Sequence, residues 1–141
     1  DEQDHQTGDV KDGVPFQPDF KQQDEVFHGF VKRYPNIKCI ARHVRYAHSC
    51  SENSLMAYLW YDGKTYESQK LRFHILDRVG GGDAFVSGII YALMNEYKPQ
   101  DIADFVVAAS AVKHTIHGDG NITDDVSLIE HIMQMNFDIK R

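Results

Sequence analysis

Residues 71–91, LRFHILDRVGGGDAFVSGIIY, decide how the chain is read. Residues 71–76 are an apolar-rich run of strand length, and residues 77–82 are a turn that ends on the consecutive glycines Gly80, Gly81 and Gly82. From Asp83 onward, as far as Tyr97, apolar residues recur at helical spacing. A strand, a glycine turn and a helix in that order make an anion site. The glycines let the backbone approach a phosphate closely, and the free N–H groups of the first helical turn point at it. Asp83 stands where the helix is expected to begin. A carboxylate there either caps the helix or takes the proton from a hydroxyl attacking the phosphate held beside it. Spacing alone leaves both readings open.

Upstream, residues 54–61 and 64–68 are β-prone runs flanking Asp62-Gly63, a short hairpin signal. Antiparallel strands before the glycine turn do not suit a dinucleotide-binding βαβ unit. A GxGxxG fingerprint would also need glycine where Phe85 stands, and no Gly-Lys-Ser/Thr makes a P-loop. Residues 37–44 read as a strand entering the sheet beside the central one, followed by Arg45. Residues 19–34 read as a helix lying on the sheet, with Asp19 as N-cap and Pro35 as its stop. Residues 1–18, with two glycines, two prolines and few apolar side chains, read as loop.

Downstream, Pro99 occupies a first helical position, and Ile102, Phe105, Val106, Ala109 and Val112 form one apolar face. Ala108, Ala109 and Ala111 keep that helix thin, so another body can approach it closely. Residues 113–121, KHTIHGDGN, are a polar turn, and residues 123–135 are a closing amphipathic helix capped by Thr123 or Asp124.

The chain has 141 residues, enough for one domain with a core, and 42% hydrophobic with 26% charged residues is ordinary for a soluble globular protein. The net charge of −6 and the lack of a Lys/Arg cluster recommend neither a nucleic-acid nor a membrane partner. No apolar run has the length of a membrane span, and the acidic start is neither a signal nor a transit peptide. Cys39 and Cys50 make no disulfide framework, and free thiols suit a reducing cytoplasm. The eight histidines are scattered and complete no ligand set, so no metal-binding side chains are assigned.

The string DRVGGGDAFVSGII closely resembles the C-terminal signature of the PfkB (ribokinase-like) family of sugar kinases, whose usual form is DTxGAGDxF followed by small and apolar residues. Gly80, Gly81, Gly82, Asp83, Phe85, Ser87, Gly88, Ile89 and Ile90 suit that pattern. Arg78 departs from it, because most members carry a small residue there. DRVGGGD together with AASAVKHT at residues 108–115 looks like the 2-dehydro-3-deoxygluconate kinase branch. The fold implied is α/β, a ribokinase-like three-layer α/β/α (Rossmann-like) arrangement. Residues 1–141 would be the C-terminal, nucleotide-binding part of one kinase domain, with 19–141 as its α/β region.

The function implied is ATP-dependent phosphorylation of a sugar acid, with Asp83 as base and the N–H groups of Gly80, Gly81 and Gly82 on the transferred phosphoryl group. In the resembled family the strand end at Arg45 faces the nucleotide phosphates, which an arginine suits, a solvated arginine being the other reading. Val107, Ser110 and Ala111 match positions near the nucleotide base, Arg78 is counted with Arg45 among the cofactor-binding residues, and the cofactors implied are ATP and Mg2+. Asp1-Glu2-Gln3-Asp4 resembles the family's Asn-x-x-Glu motif, which helps organise magnesium; a solvated chain end is the other reading. Carbonyls of the 113–121 loop hold a monovalent cation in many relatives, and Arg78 brings a fixed positive charge to the same neighbourhood. The resemblance implies a small-molecule sugar acid as partner and leaves homo-oligomer formation open. The alternatives are a truncated, non-catalytic nucleotide-binding or interaction fragment, and a PfkB kinase for another sugar.

Overall fold

The computed structural model describes residues 18–116, 118 and 126–139. In chain order they form α1 (Phe20–Arg33), β1 (Cys39–Ala47), β2 (Glu52–Tyr61), β3 (Lys64–Glu67), β4 (Leu71–His74), α2 (Gly81–Met94), α3 (Pro99–His114) and α4 (Val126–Ile139). The expectations for residues 1–17, including the Asp1–Asp4 motif, lie outside the described residues, as do the caps Thr123 and Asp124 and most of the loop after Ile116.

β2 holds the layers together. Its run SLMAYLWY is apolar almost without a break because both faces of the strand are covered. Leu55, Ala57 and Leu59 point into a core shared with α2 and α3, whereas Met56, Tyr58 and Trp60 point the other way, onto Phe27 of α1. Helix, sheet and helices thus stack as three layers. Every strand pairing is antiparallel: β1 runs along one edge of β2, from Cys39 opposite Tyr61 to Ala47 opposite Asn53. β3 and β4 share the other edge, with Glu67 opposite Tyr58 and Leu71 opposite Leu55. The strand expected beside the central one is β1, which pairs with the central strand β2, while the strand before the glycine turn, β4, lies on the far edge of β2.

Local chemistry sets the joints. Asp62 and Gly63 have φ of 48° and 86°, the paired left-handed conformation of a tight hairpin turn. Asp19 Oδ1 accepts from the Gln22 amide at 3.2 Å and starts α1 as expected. The step from β3 to β4 is pinned where the Ser68 hydroxyl accepts from Ala57 N (2.7 Å) and buried Asp104 accepts from Gln69 N (2.7 Å).

α3 departs from the single apolar face expected for it. Every residue from Ile102 to His114 is buried, because the sheet, α2 and α4 each cover part of its circumference. Its small residues admit a neighbouring helix: a Cβ added at Gly88 of α2 would lie 3.4 Å from both Ala109 Cβ and Val106 Cγ1. α2 itself stops at Met94, short of Tyr97. Glu96 turns left-handed (φ 55°), and Glu96 N and Tyr97 N donate back to the carbonyls of Leu93 (3.2 Å) and Ala92 (3.0 Å).

Candidate active site

The glycine turn is built around its first residue, Asp77. One carboxylate oxygen accepts from Val79 N (3.0 Å) and the other from Gly118 N (2.8 Å). These two bonds, opposed by slight desolvation and aided by Lys113, hold the Asp77 carboxyl below its usual range. The chain then reaches Gly80, the N-cap of α2, in a left-handed conformation (φ 80°, ψ 0°) that glycine adopts without steric cost. No side chain caps the helix. Gly81 N donates back to the Arg78 carbonyl at 3.4 Å, while the amides of Gly82 and Asp83 have no partner among the described residues. Two free donors at a helix N-terminus suit an anion.

Asp83 is the third residue of α2, not its first, and its side chain is exposed and makes no capping bond. The capping reading therefore fails on geometry: the cap position belongs to Gly80. Asp83 instead lines an open groove of about 630 Å3 between β1 and α2, in company with Ala41, His43, Phe85, Ile89 and Leu93.

Cations gather on the same side. Arg45 on β1 and Arg78 in the turn are exposed, and neither pairs with a carboxylate among the described residues. Desolvation, then the nearness of Arg78, lowers the pKa of Arg45. His43 and His114 are likewise pushed down, first by burial and then by cations: Arg45 acts on both, and Arg78 and Lys113 also act on His114. The Arg78 guanidinium reaches the Cys50 carbonyl at 3.5 Å, which ties the β1–β2 loop to the turn. Arg45, Arg78 and Lys113 together outnumber the carboxylates of Asp77 and Asp83 around the turn, a balance that favours an anion.

The C-terminal end of α3 lies against the turn. Its His114 carbonyl accepts from Leu76 N (2.8 Å) and Asp77 N (3.1 Å), the Ser110 hydroxyl donates to the Gly81 carbonyl (3.0 Å), and the Lys113 ammonium donates to the Gly118 carbonyl (2.6 Å). Of the residues expected at the site, Gly80, Gly81, Gly82, Asp83, Arg45, Arg78 and Ser110 converge on the turn, although Ser110 touches backbone from below. Val107 and Ala111 are buried in the apolar core. Asp77, Lys113 and His114 were not singled out from sequence. The strings at residues 108–115 and 113–121 contain both Lys113 and His114, but neither string says that these side chains turn back onto Gly118 and Gly81.

The free amides, the glycines and the unpaired arginines suit a nucleotide's phosphates. For magnesium the described residues offer no group of three ligating side chains, and both Asp77 oxygens are already engaged by backbone amides. No helix among the described residues is long and apolar enough to cross a membrane.

No protein-family model matches the chain. Among solved structures it is similar to a 2-dehydro-3-deoxygluconokinase from Thermotoga maritima, at 27% identity and a TM-score of 0.78, over 86% of this chain and 37% of that one. A PfkB family carbohydrate kinase from Listeria grayi is 33% identical, with a TM-score of 0.72, over 77% of this chain and 34% of that one. Among curated proteins, a 5-dehydro-2-deoxygluconokinase from Clostridium botulinum is 30% identical over 71 residues, which is 50% of this chain and 20% of that protein. The chain thus has a ribokinase-like α/β fold, and it resembles a portion of the PfkB carbohydrate kinases. Within that class its structural neighbours include the 2-dehydro-3-deoxygluconate kinases. The chain spans about a third of the length of the solved kinases, and a fifth of the curated one.

Proposed function

We propose that this chain supplies the phosphate-binding turn and the general base of an ATP-dependent sugar kinase, acting on a hydroxyl of 2-dehydro-3-deoxygluconate. One observation carries this reading: an exposed, uncapped carboxylate, Asp83, stands in the first turn of α2 beside two unpaired backbone amides, at the edge of an open groove. A base needs both access and a place beside the phosphate it serves. Asp83 takes the proton as the sugar oxygen bonds to phosphorus, and the bond from phosphorus to the bridging oxygen of ADP breaks. The amides of Gly82 and Asp83, with the dipole of α2, stabilise charge on the transferred phosphoryl oxygens. Arg45 and Arg78 draw in and orient the phosphates. Magnesium would neutralise phosphate charge when bound. Residues 1–141 act in this reading as one nucleotide-binding unit; Val107, Ser110 and Ala111, expected near the nucleotide base, are buried in α3 and would shape that side of the site only from beneath.

Asp83→Asn, made in the full-length chain, should lower kcat by roughly 100-fold to 10,000-fold while nucleotide binding persists, since the amide keeps the shape but accepts no proton. A coupled ADP-release assay with 2-dehydro-3-deoxygluconate is the measurement, and a variant that keeps most of its turnover removes Asp83 from the role. A second reading is favoured by the length the chain spans: a non-catalytic nucleotide-binding or interaction fragment. Intact mass followed by the same assay on the 141-residue chain separates the two. Activity with a different sugar but not with this acid would keep the kinase and change its substrate.

A further inference from the structure

Gly81 has a neighbour that leaves no room for a side chain. A Cβ built there would lie 2.5 Å from Cε1 of His114 and 2.9 Å from its Nε2, closer than non-bonded atoms approach. The ring cannot easily retreat. Its Nδ1 lies 2.6 Å from the Ser110 carbonyl and so donates its proton there, and the ring packs against Phe73 at a tilt of 52°, with centroids 5.3 Å apart. The same Ser110 sends its hydroxyl to the Gly81 carbonyl at 3.0 Å. One residue of α3 therefore holds both the ring and the peptide that the ring presses on, and the three residues close a circuit. His114 is only 5% exposed; burial, and then Arg45, Arg78 and Lys113, lower its proton affinity against the opposing effect of the Ser110 hydrogen bond.

We infer that His114 is a positioning residue of the phosphate-binding turn: its ring is a wedge against Gly81 that sets the direction of the Gly82 and Asp83 amides and of the Asp83 carboxylate. This deepens the reading of the turn as the phosphoryl site and rests on it. The wedge touches the residue immediately before the two free amides, so a shift in the ring is passed directly to them. A donor displaced by an ångström loses much of its hold on a transition state.

The test is a double-mutant cycle in the full-length chain: Gly81→Ala, His114→Ala and the pair together, with kcat and both KM values measured beside melting curves. Gly81→Ala alone should lower kcat/KM for ATP by roughly 10-fold to 100-fold, with KM for the sugar acid unchanged. In the pair the ring is gone and the methyl fits, so the double variant should be better than Gly81→Ala alone. Single losses that simply multiply in the pair, or a Gly81→Ala enzyme with wild-type constants, would overturn the inference. So would changes confined to melting temperature. Should Gly81→Ala yield no folded protein, His114→Asn decides, because its amide keeps the donor to Ser110 and removes the ring. A lower kcat at unchanged sugar KM supports the wedge, and an unchanged kcat refutes it. Asp83→Asn is run alongside. Full turnover in that variant faults the assignment of the base, whereas an inactive Asp83→Asn with an uncoupled cycle faults the wedge.

Discussion

His43 and His114 face cations at close quarters, and this has a consequence for folding. Burial first, and then Arg45, depress the proton affinity of both. The unfolded chain takes up these protons near the ordinary imidazole pKa of about 6.5, and the folded chain resists them to lower pH. Because the unfolded state binds more protons, stability is fully present above that value and is lost as pH falls through 6.5 toward the folded-state values. Urea midpoints should accordingly be lower at about pH 5.5 than at about pH 7.5, and His114→Asn should narrow the difference. Equal midpoints at the two pH values would remove the effect. The usual PfkB pattern has alanine where this chain has Gly81, and the His114 ring occupies the space of the methyl group.

At the scale of elements, α2 ends on a residue poorly suited to its backbone. Glu96 holds a left-handed conformation while its amide and that of Tyr97 close the helix end. Glycine carries no Cβ penalty there, so Glu96→Gly should raise stability by about 1 kcal/mol, read from denaturant midpoints. A loss of stability would mean that the glutamate side chain makes a compensating interaction. The sequence breaks α2 over residues 96–99, just past its observed end at Met94, although its apolar spacing continues to Tyr97 and no glycine marks the stop. Elements with local signals were legible, as at Asp19, Asp62-Gly63 and Pro99. The burial of α3 on every side was not, because the polar residues Asp104, Ser110 and Lys113 give no local sign of the partners at Gln69, Gly81 and Gly118 that satisfy them.

At the scale of the whole molecule, the outer face of α2 is apolar and exposed. Val86, Ile90 and Met94 are 54%, 53% and 78% exposed, beside the free edge that β1 presents among the described residues. Apolar side chains next to an unpaired strand favour association. The 141-residue chain in isolation should therefore sediment with a concentration-dependent mass. Ile90→Lys with Met94→Glu should hold it monomeric, and a concentration-independent monomer in the parent chain would contradict this. The candidate site divides in the same way as the fold. Its contiguous part, Gly80 to Asp83, was readable from one string, whereas the supports from Asp77 to Gly118 and from His114 to Gly81 join residues distant in sequence.

The contact from Arg78 to the Cys50 carbonyl offers a way to watch the site directly. Cys50 is exposed, while burial pushes up the pKa of half-buried Cys39, the chain's only other cysteine, and leaves its thiolate scarce. A thiol-reactive fluorophore should therefore label Cys50 first. An anion that draws Arg78 toward the turn releases that carbonyl, so the dye's emission becomes an optical signal of ligand arrival that needs no turnover.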